Sequence, residues 1–143
     1  MQGPLTLSGT LMKTGRSAAY RTPFGSWQGY ACRIITSFNR AGEQVRAIDA
    51  ALDFERMGAP GLAMNSSATF GSGAIDAATG AVLPDNTEYN FTLDYRLSAA
   101  TWPEWARQLW LRARIARLEQ RLGSVNTITG EYHLILNYTV TLK

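Results

Sequence analysis

The sequence predicts a β-rich α+β fold: a mainly antiparallel β-sandwich or two-sheet core with one long amphipathic helix in a strand-helix-strand crossover. Three observations lead there. Residues 88–97 and 131–142 alternate apolar and polar side chains with the period of a half-buried strand. Between them, residues 101–122 carry the composition and end signals of a helix. The rest is divided by glycine, proline and small polar residues into short strand-like runs.

With 143 residues, the chain is read as a single domain, 1–143, able to bury a core without disulfides or metal. Apolar residues make up 45% and charged residues 17%, a low charge that suits a surface partly covered by partners. Cys32 is the only cysteine, so no internal disulfide can form. No apolar run approaches the ~18 residues of a helical membrane span. The N-terminus lacks the basic and apolar regions of a secretory signal. The expectation is a protein made in a cytoplasm, without a signal peptide and with no membrane contact.

The net charge of +3 conceals a division. Residues 1–42 hold five cations and no acid, residues 43–100 hold eight acids against three arginines, and residues 101–143 return to a local +3. Complementary patches of this kind can orient copies of a chain, or offer a basic face to nucleic acid.

Taken in order, Leu5, Leu7 and Leu11 alternate with polar neighbours as a first strand. A loop follows, with Arg16, Tyr20, Arg21, Phe24 and Trp27, a mixture of cations and aromatics able to stack single-stranded nucleic acid or to cover a core edge. Residues 29–38 are β-branched and aromatic, a second strand. The turn residues at 39–42 then make a hairpin the preferred reading of 44–56, where Ile48, Ala50, Leu52 and Phe54 alternate, although Val45, Ile48 and Leu52 also fit a helix face.

Residues 57–87 are rich in Gly, Ala, Ser and Thr, and are read as a projecting arm, hairpin or long loop, with a meander of short strands as the alternative. Within them, 74–75 and 81–82 flank a turn that puts Gly80 in a left-handed position. The two sharp strands share the pattern Glu-Tyr-x-(Phe/Leu)-x-Leu-(Asp/Asn)-Tyr, from Glu88 and again from Glu131, which equal packing demands explain.

The predicted helix has Thr101 and Glu104 as a capping box, Pro103 in its first turn and Gly123 as its C-cap. On a helical wheel Trp102, Trp105, Ala106, Leu109, Ala113 and Ala116 line one side, the small alanines letting it lie close on the sheet, and Leu111, Ile115, Leu118 and Leu122 the opposite side. Arg107, Arg114, Arg117 and Arg121 fill the flank between. A second apolar stripe needs a second cover, either residues 57–87 or a neighbouring subunit.

Catalytic chemistry is not apparent. His133 is the only histidine, no nucleotide-binding loop is present, and one Cys with one His exclude the usual zinc sites. The expectations are no enzyme activity, no cofactor and no metal. The leading expectation, by fold-level analogy with small phage virion proteins of tail, neck or decoration type, is a structural assembly subunit. It would form a homo-oligomer with other assembly proteins, in the virion or the host cytoplasm, through Leu111, Ile115, Leu118, Leu122, Phe70 and Ile75. The alternative is a single-stranded nucleic-acid-binding module using Arg16, Arg21, Tyr20, Phe24 and Trp27 with Arg107, Arg114, Arg117 and Arg121, groups equally suited to an acidic partner.

Overall fold

The computed structural model describes residues 4–21, 31–97 and 102–139. Its six strands are β1 (Leu5–Lys13), β2 (Gln44–Asp53), β3 (Leu62–Ser72), β4 (Asp85–Arg96), β5 (Leu109–Leu122) and β6 (Val125–Tyr138). They form one sheet in sequence order, each antiparallel to the next. Among the described residues the regular helix is confined to two single 3-10 turns, Glu55–Met57 and Ala106–Gln108.

The fold is therefore all-β, and the α+β expectation is overturned. The segment expected as a helix over 101–122 is strand β5, hydrogen-bonded along its whole length to β4 and β6. Gly123, expected as a helix cap, opens the two-residue turn to β6 at φ +60°. Glycine in the first central position is what a type II′ hairpin turn requires. Thr101, the other expected cap, lies outside the described residues. Strands β4 and β6 do run parallel to each other, but with β5 between them rather than a crossover helix.

The expected strand over 29–38 is also corrected. Residues 22–30, which include Phe24 and Trp27, lie outside the described part. Residues 31–38 form a loop closed by an isolated bridge between Cys32 and Ser37. Residues 62–72, read within an arm or meander, are strand β3. The small turn around Gly80 is present, with Ile75 bridged to Val82 and Gly80 at φ +73°.

Side chains alternate across the sheet, giving it an apolar and a polar face. The apolar face carries Leu7 on β1, Ile48 on β2, Phe91 on β4, Ile115 on β5 and Leu134 on β6, all exposed. Cross-strand rows such as Leu93–Ala113–Leu134 and Phe91–Ile115–Tyr132 make this face continuous. No second sheet covers it, so a sandwich is excluded among the described residues. The buried apolar cluster is small, with Ala31, Phe38 and Val45 at its centre, and lies on the polar face.

That burial comes from the long segment between β1 and β2, whose residues 31–43 fold onto the polar face of β2, β3 and β4. Gly71, on that face of β3, makes the approach possible. A Cβ there would meet the ring of Phe38 and the carboxylate of Glu43, the situation in which a strand tolerates glycine.

Candidate functional site

The polar face and the loop docked on it hold most of the molecule's specific polar contacts. Glu88 of β4 has no exposed surface, and its carboxylate accepts hydrogen bonds from the backbone N–H groups of Ile35 and Thr36, each at 2.9 Å. Arg33 donates from Nε to Thr69 Oγ1 at 2.6 Å and forks onto Asp49 of β2, at 2.9 Å and 3.2 Å. At the loop's end, Arg40 donates to Glu43, which is wholly buried, and to the Pro84 carbonyl at 2.8 Å. A buried carboxylate is tolerated only with such partners. The loop is thus fixed to the sheet by two acids of the strands, Asp49 and Glu88.

A second cluster lies on β4 and β5. Arg112 forks onto Asp94, Nε to Oδ1 at 2.5 Å and Nη2 to Oδ2 at 2.9 Å, and Trp110 Nε1 donates to Asp94 Oδ1 at 3.0 Å. The guanidinium groups of Arg112 and Arg96 sit 4.3 Å and 5.1 Å from the centre of the Trp110 ring, within cation–π range.

Between this cluster and the loop is a recess of about 790 Å³ bordered by Ser8, Arg33, Asp49, Asn90, Arg114 and His133. Arg114 stands opposite Thr92 on β4 and His133 on β6. Its Nε is buried and has no hydrogen-bond partner among the described residues. His133 Nε2 lies 3.0 Å from Glu131. The acidic acceptors here are thus largely engaged, while among the described residues Arg114 keeps a donor unused.

The residues expected to form a subunit interface do not share a face. Leu111 and Ile115 are on the apolar face, Leu118 is buried on the polar face, and Leu122 is exposed beside the β5–β6 turn. Phe70 is on the apolar face of β3, edge-on to Tyr89 at 6.3 Å, and Ile75 is in the β3–β4 connection. The expected arginine flank separates as well. Arg107 is in the turn before β5, Arg114 points to the polar face, and Arg117 and Arg121 lie on the apolar one. Arg16, Tyr20 and Arg21 are exposed in the β1–β2 segment. Sequence reasoning missed Arg33, Asp49, Glu88, Asp94 and Arg112; on β4 the signal was the alternation that puts Glu88, Asn90, Thr92 and Asp94 on one face, whereas Arg33 lies in the loop and had no such signal.

No family model and no curated protein matches the sequence. Solved structures do match. OpdK, an outer membrane protein of Pseudomonas aeruginosa, superposes with a TM-score of 0.78 at 22% identity, over 95% of this chain and 35% of that one. OpdK solved with vanillate gives the same TM-score and identity. OccK5 (OpdH) of the same organism matches with a TM-score of 0.71 at 20% identity, over 95% of this chain and 35% of that one. This chain spans about a third of the length of these proteins. At such identities the likeness establishes the fold alone, an antiparallel sheet of six strands laid out as in a part of those proteins.

This overturns the expectation of a virion assembly subunit with phage-type partners, located in a virion or cytoplasm and without membrane contact. That reading drew on a helix and a sandwich that the described residues do not form, and the nucleic-acid alternative drew in part on helical arginines that the sheet separates. The neighbours in structure are outer-membrane proteins.

Proposed function

We propose that the chain is a six-strand section of the wall of an outer-membrane channel, with its polar face toward the lumen and its apolar face toward lipid. The observation that carries this is the inversion of burial. Leu7 is 65% exposed and Leu134 84%, while Glu88 has no exposed surface on the opposite face. In water the exposed aliphatics would each forfeit about 1.5–3 kcal/mol of burial; in hydrocarbon they are solvated. The strands, 9 to 14 residues long, match the roughly 9–11 residues of a tilted membrane-spanning strand. No helix among the described residues is long and apolar enough to cross a membrane, which has no bearing on strands.

The apolar band also slides across the sheet. Leu5, the first described apolar side chain of that face on β1, is in register with Ala113, two residues beyond Leu111 and four beyond Leu109, where the band starts on β5. Tilted barrel strands require this stagger. The free edges of β1 and β6 pair with further strands that close the barrel.

In this reading residues 31–43 narrow the lumen and the chain does no covalent chemistry. The solutes that pass are small and carry a carboxylate. Arg114 offers an unused guanidinium donor in the recess beside the docked loop, and guanidinium matches carboxylate in bidentate geometry. OpdK solved with vanillate, a carboxylate, is in keeping with this.

Reconstitution of the full-length protein in planar bilayers tests the proposal. Discrete conductance steps with a preference for anions, lowered in Arg114→Ala, are expected. A protein that stays dissolved without detergent and conducts nothing would sink it.

A further inference from the structure

On the apolar face, every charged side chain of the six strands lies toward one end. Lys13 is the next position on that face after Leu11, Arg46 the next after Ile48, and Arg117 the next after Ile115. In three strands, therefore, the first side chain beyond the last aliphatic is a cation. Arg121 lies farther out, opposite Asp85. At the other end the same face finishes on Leu5, Leu52, Leu62, Tyr95, Leu109 and Tyr138.

The end that carries the cations is also the end of the long connection, residues 14–43, and of the β5–β6 turn. Barrels of this kind place their longer loops outside the cell. Charge on the lipid face is costly in the middle of the band and nearly free at its edge, so these positions mark where hydrocarbon gives way to headgroups. Lys13 and Arg46 are diagonal neighbours, since Lys13 pairs with Gln44 and Arg46 with Leu11. Their backbones are thus about 7–8 Å apart. Among the described residues Arg117 has one acidic partner, Glu119 at 2.8 Å, and its side chain remains 57% exposed.

We propose that Lys13, Arg46 and Arg117 form a basic girdle that binds the phosphorylated headgroups of lipids in the external leaflet. The inference rests on the membrane reading above. Cations at the band edge meet phosphate, the stems of Lys and Arg lie along the aliphatic surface, and each guanidinium holds phosphate oxygens through paired N–H donors. Burial elsewhere does not account for them, because all three face away from the docked loop and the lumen.

The test places the full-length protein in phosphatidylcholine nanodiscs and titrates diphosphorylated lipid A, its dephosphorylated form, and inorganic phosphate. Retained lipid is counted by native mass spectrometry. Wild type is expected to retain the diphosphorylated lipid at least tenfold more tightly than the dephosphorylated one, and to gain nothing from inorganic phosphate. The Lys13→Gln/Arg46→Gln/Arg117→Gln variant is expected to lose most of that preference. Equal retention of both lipids by wild type overturns the girdle, as does a preference unchanged within twofold in the variant. If the variant does not insert, the wild-type comparison still decides. Failure of wild type to enter the nanodisc refutes the membrane reading itself, a result distinct from insertion without headgroup preference.

Discussion

Arg112 and Asp94 form a two-pronged ion pair between adjacent strands on the polar face, with both carboxylate oxygens of Asp94 engaged by one guanidinium. Trp110 makes the same carboxylate a third bond and lies under two guanidinium groups, those of Arg96 and Arg112. Asp94 thereby holds two cationic side chains and an indole in one arrangement on the wall.

Asp94→Asn keeps the shape of that centre and removes its negative charge. The fork is lost, and Arg112 is left partly buried without its counter-ion. A loss of about 1–3 kcal/mol in folding stability is expected, the usual cost of stranding a partly buried charged partner. In the proposed channel the lumen-facing side gains one net positive charge, so its reversal potential in a salt gradient should shift toward anions. A shift toward cations would contradict the placement of Asp94 in the lumen.

Glu88 anchors the inward loop through two backbone N–H groups, and a side chain that is not a carboxylate cannot accept both. Glu88→Gln retains one acceptor oxygen and turns an amide toward the second N–H. Residues 31–43 are expected to detach locally while the strands stay paired. Limited proteolysis should then cut within the loop faster than in wild type, and single-channel conductance should rise because the lumen widens. Unchanged conductance together with faster cleavage would mean that the loop does not narrow the path.

The strands β4 and β6 were legible in the sequence because Tyr89, Phe91 and Leu93, and again Tyr132, Leu134 and Leu136, alternate strictly with polar residues. Their shared pattern from Glu88 and Glu131 reflects one demand, a glutamate toward the polar face and a tyrosine toward the apolar one. β5 was obscured by its composition. Leu, Arg, Ala, Gln and Glu are strong helix formers in water, and Ala113 and Ala116 gave a false small-residue stripe. Its period of two was nevertheless present, with Leu109, Leu111, Ala113 and Ile115 opposed by Trp110, Arg112 and Arg114. Helix propensity measured in water is a poor guide to a strand whose pairing is enforced from both sides, here by β4 and β6. β3 was hidden for another reason. Its faces bear Ser66, Ala68, Ser67 and Thr69, too similar in polarity for an alternation to show. Residues 31–38 looked like a strand because Ile34, Ile35 and Phe38 serve a docked loop. The fixing contacts of that loop, Asp49 with Arg33 and Glu88 with the backbone of Ile35 and Thr36, are far apart in sequence and depend on a register that no local pattern reveals.

Asp76, in the connection between β3 and β4 and outside the strands, closes its turn by accepting hydrogen bonds from the backbone N–H groups of Ala78, at 2.9 Å, and Thr79, at 2.8 Å. The Thr79 bond first, then that from Ala78, holds its carboxyl below the ordinary value. A depressed carboxyl contributes fully above the unfolded-state pKa of about 3.9 and loses its contribution as pH falls through the lower folded-state value. The amide resonances of Ala78 and Thr79 should therefore stay native-like from neutral pH down to about pH 4 and shift only below it. In Asp76→Asn that acid-dependent shift should be absent. A midpoint above the ordinary aspartate range would show that the turn does not favour the charged form.

Adjacent residues of β6 separate the membrane reading from a water-soluble sheet. Leu134 is 84% exposed on the apolar face, in register with Ala113 and, through it, with Leu93. His133 points to the opposite face beside Arg114 and Glu131. Leu134→Arg puts a charge in the middle of the lipid-facing band and should cost about 2–4 kcal/mol. His133→Arg faces the polar lumen, where Glu131 receives the new cation, and should change stability by no more than about 1 kcal/mol. Reversible unfolding of the full-length protein from lipid bilayers, followed by tryptophan fluorescence, measures both. On a sheet bathed in water the order would be different, since replacing an exposed leucine there changes stability within about 0.5 kcal/mol. A Leu134→Arg protein as stable as wild type would thus remove the apolar face from the membrane, whereas a loss confined to that variant fixes which side of each strand meets lipid.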